Sequence, residues 1–405
     1  MKRAQVRAFT LVELMVAMVA AMFVATSVFA LAKHASAFAM RQSRVADATL
    51  QSVMGFERLQ ADIARAGFLS SPNVVRDPAI CRNLTALYPT QLARLSSVFI
   101  QPVPAGQLST ESTVNGLAPS RIVLSGSYDS ADLFVARQIN QAGNPVVTLS
   151  RTSLGMANIG YTPATGETDL GKVFKPGRAL RILDDAGGVQ FGEIQSVAGG
   201  ANPTITLTAN PAIQFRGGST QQCGVRGHGN DFVNVVNIIR YDIMSLNDVT
   251  LPGYAAMYRG GPSYESTRRE LVREELDVRG APIAGTRELI AEYAVDLGFS
   301  LLVAQGAGVG LSRQTGAGVA NFAGDPTGLG AGNGPQLIRA VNAWLSVRSQ
   351  EADRNSTLAV GRAAGAGPNL LRVSMDPTNA TAGPYARVRT LQATIPLNNQ
   401  MRATW

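Results

Sequence analysis

One carboxylate, Glu13, stands at the mouth of a long apolar run. From Leu14 to Ala32 the only polar side chains are Thr26 and Ser27, and Lys2, Arg3 and Arg7 lie ahead of the run. An acid within a membrane span opposes insertion by about 2.5–3.5 kcal/mol at the centre and by less near an end. The chemistry expected of it is therefore an ion pair with a cationic partner. Cys81 and Cys223 are the only thiols. They are too few for a tetrahedral zinc site. Outside the cytoplasm they would pair as one disulfide, and two buried free thiols are the alternative.

The remaining reactive side chains form no catalytic constellation. His34 follows Lys33 at the end of the apolar run and reads as interfacial. His228, in Gly227-His228-Gly229, comes five residues after Cys223. A Cys–His nucleophile pair is one reading, and an exposed loop histidine is the plainer one. Gly306-Ala307-Gly308-Val309-Gly310 has the glycines of a phosphate loop but lacks Gly-Lys-Ser/Thr and a following helix. Asn321, Asp325 and Asn333 offer oxygens for calcium, yet their spacing fits no EF-hand and one carboxylate is too few for a strong hard-cation site. Asp184-Asp185-Ala186-Gly187-Gly188 reads as a turn. The run from Arg268-Arg269-Glu270 to Arg273-Glu274-Glu275 reads as a solvated edge strand whose charges deter pairing; a docking surface for a neighbouring subunit is the alternative. No enzyme activity, cofactor or metal site is expected.

The elements that must position these groups begin with the helix. The apolar run is long enough to span about 29 Å, whereas a secretory signal peptide has an apolar core of about 7–15 residues. Residues 33–65 contain no Pro and one Gly, Gly55. Phe38, Val45, Ala48, Phe56, Leu59 and Ile63 recur at near-helical spacing, with Arg41, Arg44, Asp47, Glu57 and Arg58 between them, so this half is amphipathic. Gly67 reads as the helix stop, with Pro72 beyond it. One helix over 9–67, membrane-spanning over 9–32, is the expectation.

Beyond it the chain is rich in Gly (41) and Pro (20) and only 6% aromatic, a mix favouring a loop-rich β head. Strands are expected at 97–103, 121–125, 132–139, 146–149, 180–183, 189–196 and 204–207, with no convincing helix between 84 and 215. Residues 221–230 read as a turn-rich junction. Further strands are expected at 233–243, 257–259, 271–276, 337–349 and 385–397. Residues 288–294 could form a helical turn before an alternating strand to Leu302. Residues 305–334, 355–369 and 376–383 read as loops. Without a βαβ rhythm the sheets should be antiparallel. The fold class is α+β, with a β-rich first lobe over 68–220 and a second over 221–405. The formal charge of +8 falls to +5 once Lys2, Arg3 and Arg7 are set aside, and the rest is spread out. That favours solubility, and no specific nucleic-acid partner is expected.

The basic leader, Phe9-Thr10-Leu11-Val12-Glu13 and the apolar helix together resemble the type IV prepilin signal. The resemblance implies cleavage by prepilin peptidase between Ala8 and Phe9, leaving a leader of 1–8, and methylation of the new amine at Phe9. Gly usually precedes the cut in that family; here the residue is Ala8, the next smallest. Glu13 falls at the family's position for the assembly glutamate, which meets the N-terminal amine of an adjacent subunit. Residues 221–405 resemble PilW-type minor pilins more diffusely, through Ile238-Ile239-Arg240-Tyr241, Met257-Tyr258-Arg259, the Arg287 to Tyr293 run and the closing strand to Pro396-Leu397-Asn398-Asn399. The resemblance implies a minor pilin near the pilus tip, held in the inner membrane with its head in the periplasm before assembly. Its implied partners are other minor pilins, the major pilin and the inner-membrane assembly platform. A J-type pseudopilin of type II secretion, and an anchored extracytoplasmic adhesin or enzyme, are the competing readings.

Overall fold

A computed structural model of the chain describes residues 10–81, 88–140, 143–216, 223–247, 252–258, 268–305, 310–330, 332–352, 360–362, 369–376, 378–379, 381 and 383–401. It divides into two units, Met1–Gln51 and Ser52–Trp405. The first is helical. Helix α1 (Leu11–Arg65) starts here, in sequence dominated by Ala, Val, Met and Leu with neither Gly nor Pro before Gly55. The two polar side chains of its apolar run turn back on the helix. Thr26 donates to the carbonyls of Met22 and Phe23, and Ser27 donates to that of Phe23. Neither hydroxyl therefore needs a partner outside the helix.

The second unit contains the last turns of α1. Phe56, Leu59, Ile63 and Ala66 are buried there, while Glu57 and Arg58 are exposed. Burying side chains of this size is worth about 1.5–3 kcal/mol each relative to exposure. Of the expected apolar stripe, Phe38 is exposed, and the side chains of Val45 and Ala48 lie outside those described. Gly67 ends the helix with a left-handed φ of 78°, open to glycine without penalty, and its N–H donates to the Ser125 carbonyl at 2.8 Å.

Among the described residues the strands form two antiparallel sheets. The ten-stranded sheet comprises β1 (Val98–Pro102), β2 (Ser120–Gly126), β3 (Phe134–Asn140), β4 (Val146–Leu149), β5 (Ala179–Leu183), β6 (Val189–Ala198), β7 (Thr204–Leu207), β8 (His228–Met244), β9 (Glu270–Leu276) and β10 (Glu288–Ala291). Strand β8 organises it. Its first half pairs with β3 and β5, closing the ring β8-β3-β4-β7-β6-β5, which has no free edge. Inside the ring pack Phe134, Leu149, Phe174, Ile194, Ile205 and Val233. The second half of β8 pairs with β2 and β9. The six-stranded sheet comprises β11 (Ala294–Gln305), β12 (Gly310–Gln314), β13 (Ile338–Ala352), β14 (Gly361–Arg362), β15 (Leu370–Ser374) and β16 (Tyr385–Pro396). The end of α1 lies between the sheets. Leu59 and Ile63 share one core with Ile122, Ile239 and Tyr241 of the first and with Leu297, Phe299 and Leu345 of the second.

Several expectations need correction. Short helices do occur between 84 and 215: α2 (Thr90–Ala93), α3 (Thr110–Val114), α4 (Leu154–Asn158) and α5 (Gly166–Val173). They run one or two turns, too short to leave a periodic signature; α3 alone of the four has a side-chain cap, Ser109, which accepts from the Ser112 N–H. The junction expected over 221–230 holds the start of β8 at His228. Pro252–Ala255 forms α6, and Ala256–Tyr258 forms a 3-10 turn rather than a strand; Arg259 lies outside the described residues. Residues Glu288–Ala291 are strand rather than helical turn, because they pair with β9. The Gly-rich stretch from 305 carries β12 and α7 (Ala317–Ala323), a strand and a helix stabilised by pairing and packing that composition does not report. Most of 355–369 lies outside the described residues, and its Gly361–Arg362 pairs with β15.

The largest correction concerns the charged run at 268–275. Strand β9 is internal, between β8 and β10, and all seven of its residues are buried. The charges of β9, and Arg268 ahead of it, each meet a partner. Arg268 Nε reaches Glu270 at 2.5 Å, Arg287 donates to Glu274 at 3.0 Å, Arg178 reaches Glu275 at 2.7 Å, and Arg273 reaches Asp62 at 2.8 Å. Buried charges survive only with such pairing.

Candidate functional site

The reading frame for the N-terminal site is its first helical turn. Thr10 precedes α1, and its N–H and hydroxyl donate to Glu13 Oε2 at 3.0 and 2.9 Å. The Glu13 N–H in turn donates to Thr10 Oγ1 at 3.3 Å. This reciprocal arrangement is a capping box, which supplies partners for amide donors that the start of a helix leaves unpaired. A negative charge in the first turn also faces the positive end of the helix dipole. Among the described residues no bond falls on Glu13 Oε1, so that oxygen stays open to a cation. Thr10 was missed as a functional residue in the sequence reading, although Thr-x-x-Glu ahead of an apolar run is the signal that finds it.

The flank of this turn is apolar and open. Leu11–Ser36 is long and apolar enough to cross a membrane, and its side chains are exposed. Ala8 and Phe9, where cleavage and methylation were expected, lie outside the described residues. His34 is exposed at the end of this stretch.

In the second unit, Cys81 and Cys223 form a disulfide, with Cα atoms 5.4 Å apart. The bond ties the loop after α1 to the residues that lead into β8. Cys81 N–H also donates to the Val189 carbonyl at 2.9 Å. The adjoining turn forms as expected: Asp184 Oδ1 accepts from the N–H groups of Ala186 and Gly188. Arg216 pairs with both Asp184 and Asp185. Asp231 lies in the same region, and burial, helped by the charges of Asp184 and Asp185, pushes it up to about 6. His228 is exposed on β8 rather than joined to the cysteines, which are bonded to each other.

Asn321 sits on α7, and Asp325 is engaged by Arg94 at 2.8 Å and by the Thr327 hydroxyl at 2.7 Å. Among the described residues no three His, Cys, Asp or Glu side chains are placed to hold a metal ion. Gly306 to Val309 lie outside the described residues, and Gly310 opens β12.

A second polar centre was missed: Asp62, on the buried face of α1. Its Oδ2 accepts from Tyr241 Oη and from Arg273 Nε, each at 2.8 Å, while Tyr128 Oη donates to its backbone carbonyl at 3.0 Å. Burial and the nearby Asp62 charge push the Tyr241 hydroxyl far above its ordinary range. About two turns earlier on α1, Gly55 lets β10 approach. A Cβ at that position would fall 2.2 Å from the Ile290 carbonyl oxygen.

Residues 3–29 match the family model for the prokaryotic N-terminal methylation motif. No curated protein and no solved structure matches the chain. The motif, heading an exposed apolar helix, supports a type IV pilin-like or pseudopilin protein that is anchored in the membrane before assembly and processed by prepilin peptidase.

Proposed function

We propose that this chain is a minor pilin: a structural subunit rather than an enzyme, assembled at low copy number near the tip of a type IV pilus. The observation that carries the reading is the methylation motif running directly into the Thr10–Glu13 capped turn. Prepilin peptidase cuts between Ala8 and Phe9, and the amine of Phe9 is methylated. Glu13 then offers its open Oε1 to the amine of an adjacent subunit. Two opposite charges 4 Å apart gain about 4 kcal/mol at an effective dielectric near 20, whereas an unpaired carboxylate in that apolar setting is penalised. Pairing therefore favours correct register as the subunit leaves the bilayer. The size of the head suits a tip position better than a shaft of small subunits, and its partners would be other minor pilins, the major pilin and the assembly platform.

The same motif also heads pseudopilins, so a J-type pseudopilin of type II secretion is the second reading. Deleting the gene separates the two. Loss of surface filaments and twitching, with secretion intact, supports the minor pilin; loss of secretion with pili intact supports the pseudopilin. Glu13→Ala should lower filament incorporation while leader removal stays complete. Incorporation equal to the parent's would contradict the role given to Glu13.

A further inference from the structure

The outer face of the six-stranded sheet carries a flat aromatic platform. Phe299 and Leu301 of β11, and Ala343 and Leu345 of β13, face the core. By strand alternation Gly298 and Ser300, and Asn342 and Trp344, take the opposite face. Trp344 stands across from Gly298 on one side and from Gln392 of β16 on the other. A Cβ at Gly298 would fall 2.2 Å from Trp344 Cζ2 and 2.4 Å from its Cε2, so the indole lies flat across β11. Glycine weakens a strand interior and often marks such a close approach. The indole N–H donates to Asp296 Oδ2 at 3.1 Å, which fixes the ring and satisfies its polar atom.

Covering Gly298 uses one face of the ring. The other points away from the sheet, and Trp344 keeps part of its surface open to solvent. The polar side chains around it are ones that a ligand can reach: Gln392 and Thr394 of β16 and Arg313 of β12 are all exposed. Gln392 Nε2 donates to Asn342 Oδ1 at 3.2 Å, and its amide has further donors and acceptors to offer. Thr394 stands opposite Asn342. Arg313 Nη2 lies 3.5 Å from Ser300 Oγ, and with the Asn342 amide turned to suit its neighbours it reaches that amide's oxygen at 3.1 Å. Neighbouring strands lie about 4.8 Å apart and residues two apart along a strand about 7 Å. These groups therefore stand within the reach of a short oligosaccharide laid over the ring.

We propose that this face binds a neutral, β-1,4-linked glycan chain. A pyranose with equatorial substituents turns its axial C–H groups, which carry partial positive charge, onto the electron-rich face of Trp344. Its hydroxyls both donate and accept, so they can meet Gln392, Thr394 and Arg313 beside the ring. A β-1,4-linked chain is an extended ribbon that lies along a flat sheet, whereas an α-1,4-linked chain coils away from it. A nucleic-acid strand calls for a basic groove along its backbone, and Arg313 is the one charge among the three exposed polar groups. The proposal does not rest on the pilin reading, because the assay measures binding by the purified protein.

The test is a titration of the full chain in sugar-free detergent micelles, read by calorimetry and by tryptophan fluorescence. Cellohexaose and chitohexaose are the probes, with maltohexaose, hexaglutamate and oligothymidylate as comparators. At least one probe should saturate the protein and bind about tenfold or more tightly than every comparator. The tryptophans are Trp344 and Trp405. The fluorescence change on binding should persist in Trp405→Phe and vanish in Trp344→Phe. Trp344→Phe keeps a ring over Gly298 but offers a smaller platform, and should weaken binding about fivefold. Gln392→Ala, at an exposed position, should weaken it about threefold without moving the melting temperature. Failure of both probes to saturate the parent at millimolar concentration would overturn the proposal, and needs no variant to fold. So would a comparator that binds as tightly as the better probe, hexaglutamate or oligothymidylate then marking the face as a peptide or nucleic-acid surface. Probe binding unchanged in Trp344→Phe would place the glycan elsewhere and overturn it as well.

Discussion

Removing the Asp62 carboxylate should loosen the end of α1 from both sheets. Asp62 is buried, and its Oδ2 accepts from Arg273 Nε and Tyr241 Oη at 2.8 Å. Asp62→Ala leaves the Arg273 guanidinium buried with one remaining carboxylate, Glu288, at 3.6 Å and half exposed. Breaking a buried pair from one side costs about 3–5 kcal/mol, and an orphaned buried hydroxyl such as Tyr241 costs about 1–3 kcal/mol within that figure. Glu288 can compensate part of the charge, so the lower end, about 3 kcal/mol, is expected. Asp62→Asn keeps an acceptor for Tyr241 and should cost less, about 2 kcal/mol. Adding Arg273→Met to Asp62→Ala should cost less than the two single changes combined, because the stranded cation is gone. The assay is urea unfolding of the full chain in micelles, with hydrogen exchange read over residues 52–66. Exchange there should accelerate in Asp62→Ala, and Glu57→Ala, on the wet face, should change stability by less than about 0.5 kcal/mol. A cost below about 1 kcal/mol for Asp62→Ala, or strict additivity with Arg273→Met, would refute the reasoning.

Three further outcomes are expected. Gly55→Ala places a Cβ 2.2 Å from the Ile290 carbonyl oxygen; overpacking of about 1–3 kcal/mol should outweigh a gain of up to about 1 kcal/mol in helix propensity, and a lowered urea midpoint checks it. Reducing Cys81–Cys223, which are 142 residues apart, should lower stability by up to about 5 kcal/mol in the chain-entropy model, seen as a drop in urea midpoint with reductant that Cys81→Ser reproduces. Asp231 holds its proton to about pH 6 in the folded state. Its contribution to stability is full below about pH 4 and is lost as pH rises through 6. Asp231→Asn should therefore stabilise the protein at pH 7.5 by about 1–2 kcal/mol, allowing for partial solvent screening, and leave it unchanged near pH 4; a pH series of melting temperatures reads this.

The sequence was most informative where structure is set locally. The span is visible as an uninterrupted apolar run, and β4 and β7 fall at the expected 146–149 and 204–207 because their alternation is undisturbed. The Thr10–Glu13 turn is equally local, and it went unread only because the apolar run drew the reading past Thr-x-x-Glu. What stayed hidden depends on partners far along the chain. Arg273 and Glu275 look like solvated charges beside their neighbours, yet their partners Asp62 and Arg178 lie about 211 and 97 residues away. The same holds for Asp62, whose spacing places it among Leu59 and Ile63 but whose acid marks it for the wet face. Strand β12 and helix α7 escaped because Gly-rich composition resembles a loop until β11 supplies pairing. Closure of the β3–β8 ring needed the length of β8, which the turn-like Gly227-His228-Gly229 concealed.

The central claim, that this chain is processed as a prepilin, is tested most directly by mass spectrometry of the protein recovered from its native membrane. The account predicts a mature chain beginning at Phe9 with one methyl group on its amine. A chain that keeps residues 1–8, or one that begins beyond Ala32, would contradict it.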